Sequence, residues 1–205
     1  MTGVNERDAD DRGEQRPARR VLAVASGGGH FKQLVRLIPR LQHVSHVTWV
    51  THDTGLAEDL LRTAGRQDDP LLHVPYAAPR DLPNLTRDAV EVRRLLRREP
   101  HDLAVSTGAG IAATVLPMAR TMGLRSVFIE SATRVEGPSL SGRILQRLPG
   151  VELYSQHLDG NGFGGHVTYL GVVMLLRGGL GAVRGGRGST RRGRACRARS
   201  WPRGS

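Results

Sequence analysis

From Val21 to Leu170 the chain alternates short, continuously apolar runs with stretches whose apolar residues recur every three or four positions. A continuous apolar run reads as a strand buried on both faces, and the longer spacing as a helix with one buried stripe. Their alternation constrains the fold more than any single residue does. It predicts an α/β domain: a doubly wound, Rossmann-like parallel sheet covered on both sides. Strands are expected at Val21–Ala25, Val47–Thr51, Leu71–Pro75, Leu103–Ser106, Ser126–Ile129, Val151–Ser155 and Val167–Leu170. The first helix starts near His30, with Phe31, Leu34, Val35, Ile38 and Leu41 on one face and Pro39 closing it. Asp53 or Thr54 is the expected cap of the second helix, and Gly65 its stop. Asn84 is the expected cap of a third helix that buries Leu85, Ala89, Val92 and Leu96 and exposes Arg87, Arg93, Arg94, Arg97 and Arg98. A largely apolar fourth helix ends at Gly123, and a fifth spans Ser139–Leu148.

Charge sharpens the domain limits. The chain carries 30 basic and 19 acidic residues, a formal +11. Nine of those basic residues, all arginine, lie in 172–205, where there is no acid; 1–171 keeps 21 basic against 19 acidic. The excess therefore belongs to the end of the chain, and a uniformly basic nucleic-acid-binding fold is not expected. Residues 1–20 are polar and charge-mixed, read as a disordered leader rather than a signal peptide. The domain is expected over 21–172, and 173–205 as an Arg/Gly-rich disordered tail. No apolar run approaches the roughly 18–20 residues of a membrane span. The only cysteine, Cys196, has no partner within the chain, which fits a reducing compartment.

In such a sheet ligands bind where strands end and helices begin. Three turns fall at that edge. Ser26-Gly27-Gly28-Gly29-His30 offers glycines that admit positive φ and bring amides close to a ligand, with a helix N-terminus behind them, a setting for phosphate or diphosphate. His30, an imidazole that ordinarily titrates near neutrality, has two readings: a proton acceptor, or a residue that only caps or hydrogen-bonds a tight connection. Ser106-Thr107-Gly108-Ala109-Gly110 repeats the pattern with two hydroxyls. Glu130-Ser131-Ala132-Thr133-Arg134 supplies a carboxylate suited to sugar hydroxyls and a guanidinium suited to phosphate, or a Glu–Arg pair that merely orders the loop. A dinucleotide fingerprint fails because position 32 is Lys32, and a P-loop fails because that lysine lacks its flanking glycine and hydroxyl. The eight histidines form no HExxH, so neither a metal site nor a cofactor is expected.

The series SGGGHFKQLVRL, STGAGIAATVLPMAR and VFIESATRVEGPSLSGRIL resembles the Alg-fourteen-like family of glycosyltransferase subunits, which includes bacterial PssD-type proteins of exopolysaccharide synthesis. The likeness runs from about Val21 to Val172, and the third motif is the most specific. It implies a fold equivalent to the N-terminal half of a GT-B glycosyltransferase of the MurG type. It further implies the acceptor-side subunit of a split enzyme moving a sugar, of the GlcNAc or glucuronic acid class, from a UDP-sugar to a polyprenyl-diphosphate-linked acceptor. The UDP-sugar would be gripped by an Alg-thirteen or PssE-type partner. On that resemblance Ser26, Gly27, Gly28 and Gly29, with Thr107, Gly108, Gly110, Ser131 and Arg134, approach the acceptor and its diphosphate. His30 and Glu130 are the catalytic candidates, and Glu130 and Arg134 line the cleft facing the partner. The implied location is the cytosolic face of the plasma membrane. The Tyr76–Leu85 loop and the arginine-rich end of the next helix have two readings, a peripheral attachment to that membrane or a solvated basic face.

Family chains tend to end near the strand matching Val167–Val172, whereas 33 residues follow Val172 here. Two readings of that segment stay open. It is a frame-shifted coding end, or its Arg-Gly repeats bind RNA or another polyanion, making the chain a non-enzymatic binding protein.

Overall fold

The computed structural model describes residues 18–52, 55–75, 81–134, 136–163 and 167–171. Residues 1–17 of the expected leader, the expected tail, the second helix's cap candidates Asp53 and Thr54, and residues 76–80 of the Tyr76–Leu85 loop lie outside these residues. Seven strands form one sheet in the order β3-β2-β1-β4-β5-β6-β7. They are β1 Arg19–Val24, β2 Val44–His52, β3 Leu71–Val74, β4 Leu103–Ser106, β5 Arg125–Ile129, β6 Val151–Ser155 and β7 Val167–Tyr169. Every pairing is parallel. The doubly wound α/β expectation holds.

The helices between them are α1 Gly29–Leu37, α2 Leu56–Thr63, α3 Leu82–Arg98, α4 Gly110–Thr121 and α5 Leu140–Leu145. Strand side chains alternate between two cores, as a period of two requires. Val21, Ala23 and Ala25 of the first strand and its extension join Phe31, Leu34 and Val35 of α1 and Ala57 and Leu61 of α2. Leu22 and Val24 face the opposite way, toward Val92 of α3, Ile111 and Val115 of α4, and Leu145 of α5. Helices α1 and α2 thus cover one face, and α3, α4 and α5 the other. The connections run outward from β1 toward β3 and then return through α3 to β4. That reversal opens a crevice at the C-terminal ends of β1 and β4.

Local boundaries move for identifiable reasons. Arg19 and Arg20 belong to β1, because the strand extends to pair with Val44 and His46, so the first strand starts before Val21. Helix α2 is preceded by Gly55 at φ 66°, without a side-chain cap. Helix α3 is capped by Asp81, not Asn84. The Asp81 carboxylate accepts from the Asn84 backbone N–H at 3.3 Å and its side-chain amide at 2.6 Å. Pro83 fits the first turn, where its missing N–H costs nothing. Within α3 Leu85, Val92 and Leu96 are buried as expected and Asp88 is fully buried beside them, while Ala89 is only half-buried. Helix α5 is shorter than expected and ends at Leu145.

Trp49 fills the α1/α2 core, edge-on to Phe31 at 5.5 Å between ring centres, and its indole N–H donates to Asp69 at 2.8 Å. At the opposite end of the sheet from the crevice, His101 is buried against Thr48. Its Nδ1 lies 3.0 Å from the Glu99 carbonyl and its Nε2 3.0 Å from the Thr48 hydroxyl, a pattern that suits the neutral ring. Burial pushes its pKa below the ordinary histidine value. An unfolded chain then binds the proton more readily than the folded one. His101 therefore contributes stability that is complete above about pH 6.5 and is lost as pH falls below it. The urea midpoint should drop between pH 7.5 and 5.5 by more in the wild type than in His101→Gln; equal drops would exclude this origin.

Candidate functional site

At the crevice the chain makes two helix N-termini with no side-chain cap. Helix α1 follows Gly28 at φ 76° and ψ −135°, and no side chain bonds its first-turn amides. A Cβ at Gly28 or Gly29 would meet nothing within 4 Å, so the space before this turn is open. Helix α4 follows Ala109 at φ 75° and ψ 170°, again without a side-chain cap. By contrast α3 is capped by Asp81 and α5 by Ser139. Uncapped first-turn amides together with the helix dipole form a setting for an anion.

His30 joins the two turns. Its Nδ1 lies 2.9 Å from the Thr107 carbonyl, and the Thr107 hydroxyl donates back to the His30 carbonyl at 2.6 Å. Gly108 makes the approach possible: a Cβ there would sit 2.6 Å from Nδ1 and Cε1 of the ring. No hydrogen bond to His30 Nε2 is formed among the described residues, and the side chain is only half-buried. The imidazole is thus anchored at one nitrogen and open at the other.

Several predicted residues have other commitments. The Thr107 hydroxyl is held by His30. Gly110 is small for packing, because a Cβ would lie 3.3 Å from Leu85 of α3. Glu130 is buried, and its Oε2 accepts both the Ser139 N–H and the Ser139 hydroxyl at 2.9 Å, while Oε1 accepts the Ser131 N–H at 3.2 Å. The Glu130–Arg134 pair, one of the two readings of this turn, does not form; Arg134 is exposed, and its backbone N–H donates to the Ser131 carbonyl. Ser131 Oγ accepts from the Gln33 amide at 2.9 Å and bonds Thr133 at 3.0 Å. Ser26 lies half-buried at the mouth of the first turn.

The sequence reading missed the polar residues that tie these parts together. Gln33 is buried on α1 one turn beyond His30, and Gln156 at the end of β6 donates both to Gln33 at 3.0 Å and to the Glu130 carbonyl at 2.8 Å. The available signal was a glutamine set among Phe31, Leu34 and Val35 on an otherwise apolar face. His52 ends β2 at the same sheet edge, buried, with Nε2 3.5 Å from Asp88 Oδ2. Burial raises the Asp88 pKa, and the nearby His52 counteracts part of that shift. Among the described residues no three His, Cys, Asp or Glu side chains are grouped as a metal would need.

A crevice at the switch point of a seven-stranded parallel sheet, faced by two open helix N-termini, defines an α/β domain of the kind that forms the N-terminal half of GT-B enzymes. Solved structures share that fold. MurG of Acinetobacter baumannii superposes with a TM-score of 0.59 at 18% identity, covering 74% of this chain and 45% of its own. The UDP-N-acetylglucosamine 2-epimerase of Rickettsia bellii gives 0.57 at 12% identity, covering 77% and 46%. A second UDP-N-acetylglucosamine 2-epimerase gives 0.57 at 12%, covering 73% and 47%. The chain thus spans a little under half the length of these structures. No known family and no curated protein matches the sequence.

Proposed function

We propose that the chain is the acceptor-side half of a glycosyltransferase of GT-B type, transferring a sugar from a UDP-sugar to a polyprenyl-diphosphate-linked acceptor. The observation that carries this reading is His30, anchored through Nδ1 between two uncapped helix N-termini at the switch-point crevice. The amides of the Gly28–Gly29 turn would hold the acceptor diphosphate. His30 Nε2 would take the proton from the attacking sugar hydroxyl as the glycosidic bond to UDP breaks. The donor would be held by a second subunit of the Alg-thirteen or PssE type, facing the same crevice. MurG and the two epimerases, as neighbours in fold, support the GT-B setting.

The test is a pull-down of the chain, with and without residues 177–205, against the product of the neighbouring reading frame. A stable complex that moves sugar from a UDP donor to a lipid-diphosphate acceptor is the expected result. No complex with either form would remove the split-enzyme reading and favour a polyanion-binding protein.

The acceptor places the reaction at a membrane surface, and the exposed arginines of α3 offer the attachment. Among the described residues no helix is long and apolar enough to cross a membrane. Arg93, Arg94, Arg97 and Arg98 are all exposed, and among the described residues only Arg94 forms an ion pair, with Glu91. Each basic residue near an anionic surface contributes about 1 kcal/mol. Reversing all four to Glu should abolish low-salt binding to vesicles containing phosphatidylserine; unchanged binding would remove this attachment.

A further inference from the structure

We propose that Ser141 of α5 is a positioning residue for His30, acting through the strained Ala109 peptide to hold the imidazole as its Nδ1–H tautomer. The catalytic use of that tautomer rests on the glycosyl-transfer reading; the tautomer itself does not.

A carbonyl oxygen can only accept a hydrogen bond. With Thr107 O 2.9 Å from Nδ1, the neutral ring must carry its proton there, leaving the lone pair on Nε2. A histidine side chain free in water prefers the opposite tautomer, so the Thr107 carbonyl has to be aimed at the ring. Its direction is set by the two residues that follow. Gly108 has φ 134°, and its N–H is held by Ser106 Oγ at 3.2 Å. Ala109 has φ 75° and ψ 170°, a region that a residue with a Cβ rarely adopts and that persists only when neighbours enforce it.

The enforcing contact comes from far along the chain. The Ser141 hydroxyl donates to the Ala109 carbonyl at 2.9 Å, and Ser141 is itself buried. The carbonyl's other partner, the Ala112 N–H at 3.1 Å, belongs to the first turn of α4 and moves with it. Ser141 is therefore the tie that fixes this peptide against an independent element. Through Ala109, Gly108 and Thr107 it sets which nitrogen of His30 is basic.

The experiment uses the full chain with 15N-labelled histidine. Long-range 1H–15N correlation at alkaline pH, where imidazole is neutral, reads the tautomer without any substrate, with His30 assigned by its loss in His30→Gln. The wild type should give a pyrrole-type Nδ1 and a pyridine-type Nε2. Ser141→Ala should bring the Nε2–H form to a comparable population, and Ser141→Thr, which keeps the hydroxyl, should restore the wild-type pattern. Should Ser141→Ala fail to fold, Ala109→Gly relaxes the same peptide without removing a hydrogen bond. It should raise Tm by about 2 °C and admit the second tautomer. A wild-type Nε2–H form, or variant spectra identical to wild type, would overturn the proposal. Locked tautomers with full turnover in His30→Ala would instead sink the transfer reading and leave the positioning intact.

Discussion

On the glycosyl-transfer reading proposed above, replacing His30 by alanine is expected to lower turnover of the assembled enzyme by about 10²-fold or more, with little change in acceptor KM. The reason is the division of labour at the crevice. On that reading the diphosphate would be bound by backbone amides of the Gly28–Gly29 turn and α1, which the substitution leaves in place. The proton of the sugar hydroxyl would be taken by one ring nitrogen, which the substitution deletes. The folding cost is modest, about 1 kcal/mol, because only the bond to the Thr107 carbonyl is lost from a half-buried side chain. Turnover within about threefold of wild type, measured with the partner subunit and saturating acceptor, would reject the role. Gly108→Ala probes the same geometry from the other side. Its Cβ would overlap the ring at 2.6 Å, so it should lower turnover while leaving His30 chemically present.

How much of this was legible beforehand follows from the range of each interaction. The strands could be read because their signal is local: Val21–Ala25, or 103–105 of β4, is buried on both faces and therefore apolar throughout. The crevice could be read because glycines and a histidine at a strand-to-helix junction announce themselves within five residues. The α3 cap was misplaced because Asp81 and Asn84 are both good caps, and Pro83 rather than propensity decides which one fits. The buried network was not legible. Gln33 meets Ser131 across 98 positions and Gln156 across 123, so neither residue carries its reason in its own neighbourhood. Glu130 is the instructive case. A carboxylate at a strand's C-terminal end reads as chemistry, yet its oxygens are engaged by the N-cap of α5 nine residues on and by the adjacent Ser131 amide.

Glu130→Ala is accordingly expected to act on the fold, destabilising it by about 3 kcal/mol and lowering Tm by roughly 6–12 °C. The carboxylate is fully buried and takes three donors: the Ser139 N–H, the Ser139 hydroxyl and the Ser131 N–H. Removing it strands those donors and opens a space beneath α5. Glu130→Gln keeps the shape and one acceptor oxygen, so about half that loss is expected. Gly142→Ala tests the same contact without touching the carboxylate's charge. Its Cβ would lie 2.6 Å from both Glu130 Oε2 and Phe163 Cζ, an overpacking that costs about 1–3 kcal/mol. The activity of Glu130→Gln then separates two roles. A group that transfers protons would cost about 10²-fold or more when made an amide, whereas one that only holds the 130–139 loop under α5 would leave turnover within several-fold at a temperature where the variant is folded. The bonding pattern favours the second outcome, since both oxygens are engaged by the protein's own donors. A large loss of turnover in a stably folded Glu130→Gln would return the carboxylate to the chemistry, and would mean that substrate displaces Ser139 from it.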